Sequence, residues 1–212
     1  MRKLLDVFFH FLYHQIAFAY DLVAATVSFG HWKNWILEVL PFIDGTRILE
    51  IGHGPGHLQR ALLSQGLDSI AIDESSSMGR LAQRNTNNTA RLIRGLGQQL
   101  PFANKSFDTV VATFPAEYIN DPQTLSEVKR CLSDGGRFIV LPVALPGNRF
   151  LSWLFRITGQ ATSDAVKVIQ EKIKDPFIKS DFDMETQVLN LKSGTLIIII
   201  AKPSAAKANE AG

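Results

Sequence analysis

A carboxylate, three glycines and a second carboxylate mark the part of this chain that could do chemistry. Glu50 is followed by Gly52, Gly54 and Gly56 at alternate positions, and Asp73 comes about 20 residues further on. The stretch from Arg47 to Leu62 reads RILEIGHGPGHLQRAL, an apolar strand that passes through the glycines into a helical pattern. Glycine has no Cβ, so such a chain can turn sharply and bring backbone N–H groups close to a ligand. The helix that follows adds a positive N-terminal end, which favours a carboxylate or phosphate there. The next short strand, Ser69-Ile-Ala-Ile-Asp73, ends in an acid whose two oxygens can accept from both hydroxyls of a ribose. These residues describe a site for a nucleoside-bearing cofactor.

A site of this kind needs a sheet beneath it, and the hydrophobic patterning supplies one. Strands are predicted near 47–51, 69–73, 91–94, 107–114 and 136–143, with helices near 57–65, 76–84 and 123–132. Strands alternating with helices over short connections give a parallel sheet with right-handed crossovers. Around Lys192-Ser-Gly194, residues 184–190 and 195–202 form a hairpin. The fold class is therefore α/β: a doubly wound, Rossmann-like, seven-stranded and mostly parallel sheet with a C-terminal antiparallel hairpin. Ahead of it, 3–28 and 31–40 read as two helices divided at Gly30, with Leu5, Phe8, Phe9, Leu12, Ile16, Tyr20, Val23 and Val27 making one oily face. One domain over 1–203 is expected, with 1–43 as a helical lid, 147–175 as a helical insertion and 204–212 as a disordered tail.

Bulk properties narrow the classes. The chain has 212 residues, a formal charge of +2 and one cysteine. Scattered basic residues leave no nucleic-acid footprint, and Arg80, Arg84, Arg91 and Arg94 read as a solvated rim around the third strand. Cys131 alone cannot build a disulfide framework and reads as core packing. The N-terminus imitates a secretory signal, but Asp6, His10, His14 and Gln15 break its apolar stretch. A cytoplasmic protein is expected, with no metal site.

The loop also discriminates among cofactors. A dinucleotide fingerprint would place its third glycine where His57 stands, and Pro55 removes an N–H that a pyrophosphate could use. No Gly-Lys-Ser/Thr follows, so this is not a P-loop. The acid-x-Gly-x-Gly-x-Gly run of Glu50–Gly56 resembles the first motif of class I S-adenosylmethionine-dependent methyltransferases. Asp73-Glu-Ser75-Ser-Ser-Met78 resembles their second, Gln98–Asp108 the run into strand four, and Leu125–Gly136 the helix and turn into strand five. From Leu12 to about Leu141 these pieces resemble the branch containing the ubiquinone and menaquinone methyltransferases.

That resemblance implies roles. Gly52, His53, Gly54 and Gly56 would form the loop under the aminoacid end of S-adenosylmethionine, with Glu50 orienting the loop or meeting the ammonium group. Asp73 would accept the ribose hydroxyls, a helix N-cap being its plainer role, and Met78 would pack beside the adenosine. Thr113 and Phe114 end the fourth strand against the cofactor. Ile16–Asp21 and Ser28–Trp35 resemble the family's N-terminal lid, with Tyr20 facing the cofactor. Two departures stand out: Glu74 where an apolar residue would lie against adenine, and Leu96 where an acid would accept from its amino group. Adenine recognition then falls to Gln98, the Gly97 backbone or apolar packing. Glu117 and Tyr118, just past the fourth strand, are candidate acceptor-site groups, with Glu117 as a general base and His31 or His53 as alternatives.

The expected activity is methyl transfer from S-adenosylmethionine to a small apolar or amphipathic acceptor, a quinone precursor or lipid. The oily N-terminal helices suggest peripheral membrane contact. Two rivals remain: an S-adenosylmethionine-binding protein without catalysis, favoured by Glu74 and Leu96, and a nicotinamide oxidoreductase, disfavoured by His57.

Overall fold

The computed structural model describes residues 30–146 and 174–204. Helix α1 (Trp32–Leu37) leads into a 3-10 turn at Leu40–Phe42 and strand β1 (Arg47–Ile51). Then come α2 (His57–Ser64), β2 (Asp68–Asp73), α3 (Ser76–Asn85), β3 (Arg91–Arg94), β4 (Phe107–Thr113), α4 (Pro122–Cys131), β5 (Leu132–Pro146), β6 (Phe182–Leu191) and β7 (Gly194–Pro203). They form one seven-stranded sheet in the order β3-β2-β1-β4-β5-β7-β6. β1 to β5 run parallel, and β7 lies antiparallel between β5 and β6. The chain winds outward from β1 to β3 and then returns to set β4 on the other side of β1. Strand order thus reverses between β1 and β4, which opens a crevice at their C-terminal ends.

Strand alternation divides the core between the two faces of the sheet. On one face Leu49, Ile51, Val110, Ala112 and Phe138 pack with Leu125, Val128 and Cys131 of α4 and with Phe177 and Phe182. On the other, Ile48, Val111, Ile139 and Leu141 pack with Trp35 and Ile36 of α1 and Leu58 and Leu62 of α2. Glu50 belongs by alternation to this second face. The Trp35 indole N–H donates to Ser193 Oγ at 2.9 Å, tying α1 to the β6–β7 turn. At the opposite end of the sheet from the crevice, the Asp108 carboxylate accepts from the backbone N–H groups of Thr46 and Arg47 and from the Arg47 guanidinium. That contact holds the Asp108 carboxyl well below the usual carboxylate range.

Two boundaries differ from expectation. The helix expected over 31–40 is regular only over Trp32–Leu37, because Pro41 supplies no backbone donor and the chain tightens to a 3-10 turn. The fifth strand begins at Leu132 rather than 136. Leu132 pairs with Phe107, and the expected Gly135-Gly136 turn is an irregularity within the strand, after which Arg137 pairs with Thr109. Of the expected insertion over 147–175, only 174–175 are described, opening a short helix over 174–179. The expected helix over 3–28 and the tail from 205 lie outside the described residues. Among the described residues no helix is long and apolar enough to cross a membrane.

Candidate active site

The crevice is built from the ends of β1, β2 and β4 and the loop after β3. All three glycines of the first loop have positive φ, +76° at Gly52, +48° at Gly54 and +80° at Gly56. They do different things. A Cβ at Gly52 would lie 2.3 Å from the Tyr118 hydroxyl, one at Gly56 would lie 2.8 Å from Ala82 Cβ, and one at Gly54 would meet nothing within 4 Å. Gly56 is thus glycine because α2 and α3 pack closely there, and Gly54 is the member that faces open space. The loop does not offer bare N–H groups, as the sequence suggested. Gly52 N–H donates to Ile72 O at 2.8 Å, Gly54 N–H to Asp73 Oδ2 at 2.9 Å and Gly56 N–H to His53 O at 2.9 Å. What it gives a ligand is close approach, with α2 behind it carrying no side-chain cap.

Asp73 binds the first loop to the second. One oxygen takes Gly54 N–H and the other takes Ser75 N–H at 2.8 Å. It is not the helix N-cap: Ser75 is, its hydroxyl accepting from Met78 N–H at 3.3 Å. A carboxylate offers about four acceptor positions, so two remain for a diol. Met78 is 2 % exposed, a core residue of α3. Glu74 is exposed, and its carbonyl accepts from Arg94 Nε. A cleft of about 270 Å³ opens beside Asp73 and His53, lined by Ser75, Gly79 and Arg80 of α3 and Arg94 of β3. Arg91 contacts Asp68 and the Ser69 carbonyl, and Arg94 engages Glu74, so both belong to a hydrogen-bonded rim.

Glu50, 1 % exposed, lies beneath the loop. Burial pushes its carboxyl up to about 8, against a hydrogen bond from Gln59. His53 is 5 % exposed, with Nδ1 at 2.7 Å from Gly54 O. Burial moves its titration below the ordinary histidine value, against the pull of Asp73.

The far wall comes from β4 and the loop after β3. Tyr118 stands across the crevice: its hydroxyl is 3.4 Å from Ile51 O, and its ring borders Gly97. Gly97 has Thr124, Ile51 and Tyr118 at 3.3–3.4 Å from the position a Cβ would take, so a larger residue there would crowd the wall. Gln98 donates to Asp121 Oδ2 at 3.3 Å, and Leu96 is 50 % exposed. Glu117 is exposed at the start of the 3-10 turn Glu117–Asn120. Thr113 closes β4, and Phe114 follows at φ +48° with its ring stacked on Trp32 at 3.9 Å between centroids. His31 sits at the N-cap of α1 and stacks on Trp35 at 6.1 Å, which fixes it to that helix. Tyr20 lies outside the described residues.

Two groups escaped the sequence reading. Gln59 and Ser69 form a buried chain to Glu50, and the only trace of it in the sequence is a polar residue on the inner side of α2 and another within an isoleucine-rich strand. Arg130 of α4 donates to Leu100 O, Phe102 O and Asn104 Oδ1, and bonds Glu127, which in turn accepts from Leu100 N–H. The Glu127-x-x-Arg130 pair therefore fastens the loop that carries Gly97 and Gln98.

Residues 49–140 match a family model described as a methyltransferase domain. A demethylmenaquinone methyltransferase of Thermotoga maritima is 27% identical over 201 residues, 90% of this chain and 84% of that one. Another, of Renibacterium salmoninarum, is 28% identical over 139 residues, 64% of this chain and 58% of that one. The chain thus spans under two thirds of the second relative's length. Among solved structures, an S-adenosylmethionine-dependent methyltransferase of Thermotoga maritima shares the fold, with a TM-score of 0.58 at 19% identity over 88% of this chain and 96% of that one.

Proposed function

We propose, for a chain that belongs to the class I S-adenosylmethionine-dependent methyltransferases and resembles their ubiquinone/menaquinone branch, that this crevice carries a methyl group to a small apolar or amphipathic acceptor of the quinone-precursor kind. The observation that carries the reading is the Asp73–Gly54 bond, which fixes a diol acceptor beside the one loop glycine that faces open space. The residues present fit such a donor: open space at the Cβ position of Gly54, two acceptor positions left on Asp73, and a carboxyl at Glu50 buried under the loop. When bound, S-adenosylmethionine supplies an electrophilic methyl group on a sulfonium sulfur.

The chain's own task is binding, orientation and water exclusion. Gly52 and Gly54 let the backbone approach the aminoacid end, and Asp73 grips the ribose. Tyr118 and Gly97 form the opposite wall. Phe114, stacked on Trp32, joins the end of β4 to the lid helix, so that packing at α1 sets the roof over the acceptor. Orientation of two reactants is worth roughly 7–11 kcal/mol of barrier, which demands little further chemistry from the protein. Glu117, exposed at the crevice rim, would serve as general base for an acceptor proton.

A demethylated quinone as acceptor is favoured by the printed names of the two relatives and by the apolar side chains of the lid. Parallel calorimetric titrations with S-adenosylmethionine, S-adenosylhomocysteine and NAD test the cofactor, followed by transfer of labelled methyl to demethylated quinones. Micromolar binding of the first two with no NAD binding, and label in the quinone, is expected. Binding of NAD alone, or of none, overturns the reading. A binder without turnover is the second reading, favoured by the solvent-facing Leu96, and label in any acceptor dismisses it.

A further inference from the structure

Glu50 has a polar company that the loop itself does not need. Gln59 Nε2 on α2 donates to Glu50 Oε2 at 2.8 Å, and Ser69 Oγ on β2 donates to Gln59 Oε1 at 3.0 Å. Gln59 is fully buried and Ser69 is 1 % exposed. With the amide in this orientation its oxygen accepts from Ser69 and its NH₂ group donates to Glu50. Ile48, Leu58 and Leu62 pack around the same face, and no ion pair among the described residues includes Glu50.

An ionised carboxylate without a cation is costly in such a place. One donated hydrogen bond offsets part of that cost, and the negative charge of Asp73 on the neighbouring strand adds to it. Arg80 and Arg94 line the cleft on the Asp73 side of the loop, and neither is among the causes that shift Glu50. Burial lowers the titration of His53, and the Tyr118 hydroxyl sits over Ile51 O. In the ligand-free protein Glu50 therefore holds its proton at pH 7. A ligand cation arriving over the loop reverses the balance, because an opposite charge at close range favours the ionised form.

We propose that Gln59 and Ser69 are positioning residues that aim Glu50, and that a primary ammonium group seated over the glycine loop expels the Glu50 proton to solvent, so that ligand capture and proton release are one event. This rests on the reading of that loop as the seat of the aminoacid end of S-adenosylmethionine. The balance is simple: the Glu50 O–H bond breaks, its electron pair stays on the carboxylate, and the proton leaves to buffer. Gln59, locked by Ser69, already presents the donor that the carboxylate needs, so nothing has to turn when the proton leaves.

The test is calorimetry of the full chain with S-adenosylhomocysteine in two buffers of different ionisation enthalpy, from about pH 7 to about pH 9. For a group titrating near 8, roughly 0.9 proton per ligand should be released at pH 7, falling towards zero at pH 9. Glu50→Gln should bind more weakly and release no proton. Gln59→Leu removes the donor, so the pH at which release is halved should rise, and Ser69→Ala should shift it the same way by less. A readout without ligand guards against misfolded variants. Because the folded carboxyl titrates far above its unfolded value near 4.3, wild-type stability should fall as pH rises between about 4.3 and 8, and Glu50→Gln should flatten that fall. Tight binding with no proton release, or release that persists in Glu50→Gln, overturns the proposal and leaves the cofactor reading standing. No binding at any pH overturns both.

Discussion

Asp73 fastens the glycine loop with one oxygen and the start of α3 with the other, so a single side chain sets the distance between two loops that border the cleft. Asp73→Ala should weaken S-adenosylmethionine binding by about 1.5–3 kcal/mol, the scale of hydrogen bonds to a charged group, and calorimetry reads this directly. Unchanged affinity would remove the ribose assignment. The glycines separate in a comparable way. Gly56→Ala meets Ala82 and should lower stability by about 1–3 kcal/mol, whereas Gly54→Ala meets no neighbour and adds only about 1–2 kcal/mol of left-handed strain. Thermal melts should therefore penalise Gly56→Ala more, and ligand titrations Gly54→Ala more. The motif spacing makes the glycines look alike. Their division of labour depends on what stands opposite each one, and that was not legible before α3 and Tyr118 were in place.

At the scale of elements, α4 governs the loop before it. Arg130→Ala would release three backbone or side-chain acceptors and leave Glu127 with only the Leu100 N–H, so the segment from Leu100 to Asn104 should loosen. Faster amide exchange there, together with weaker cofactor binding and little change in β1 or β2, is the expected outcome. An even rise in exchange across the sheet would mean that Arg130 serves global stability instead. Most elements were readable in the sequence because Ile, Val and Leu runs bounded by glycine mark buried parallel strands. The run into β5 was not, since its first residues pair with Phe107 across an irregularity that no local pattern announces. The Gln59–Ser69 chain was hidden for the same reason: its members meet only when α2 folds back onto β2.

For the molecule as a whole, two carboxyl groups pull stability in opposite directions with pH. Asp108, depressed by the Arg47 guanidinium and two backbone donors, contributes stability that is present above its unfolded value near 3.9 and is lost as pH falls below it. Asp108→Asn should therefore flatten the acid limb of a stability profile, while Glu50→Gln flattens the fall between about pH 4.3 and 8. Melting temperatures measured across pH for both variants would separate the two ends of the sheet. Cofactor at one hundred times its dissociation constant should add about 2.7 kcal/mol to stability, and a melt without that gain would contradict specific binding.

The tie between Trp35 and Ser193 also has a consequence in time. The two residues lie 158 positions apart. During synthesis α1 leaves the ribosome early, but its anchor on the last hairpin follows only after about 8–30 s at ordinary elongation rates. Through that interval the indole N–H of Trp35 lacks its Ser193 acceptor, while Ile48, Leu58 and Val111 are already made. The Trp35–Ser193 tie is thus among the last contacts of the described fold to form, and a nascent chain ending before Ser193 would hold α1 by its packing on β1, β4 and α2 alone.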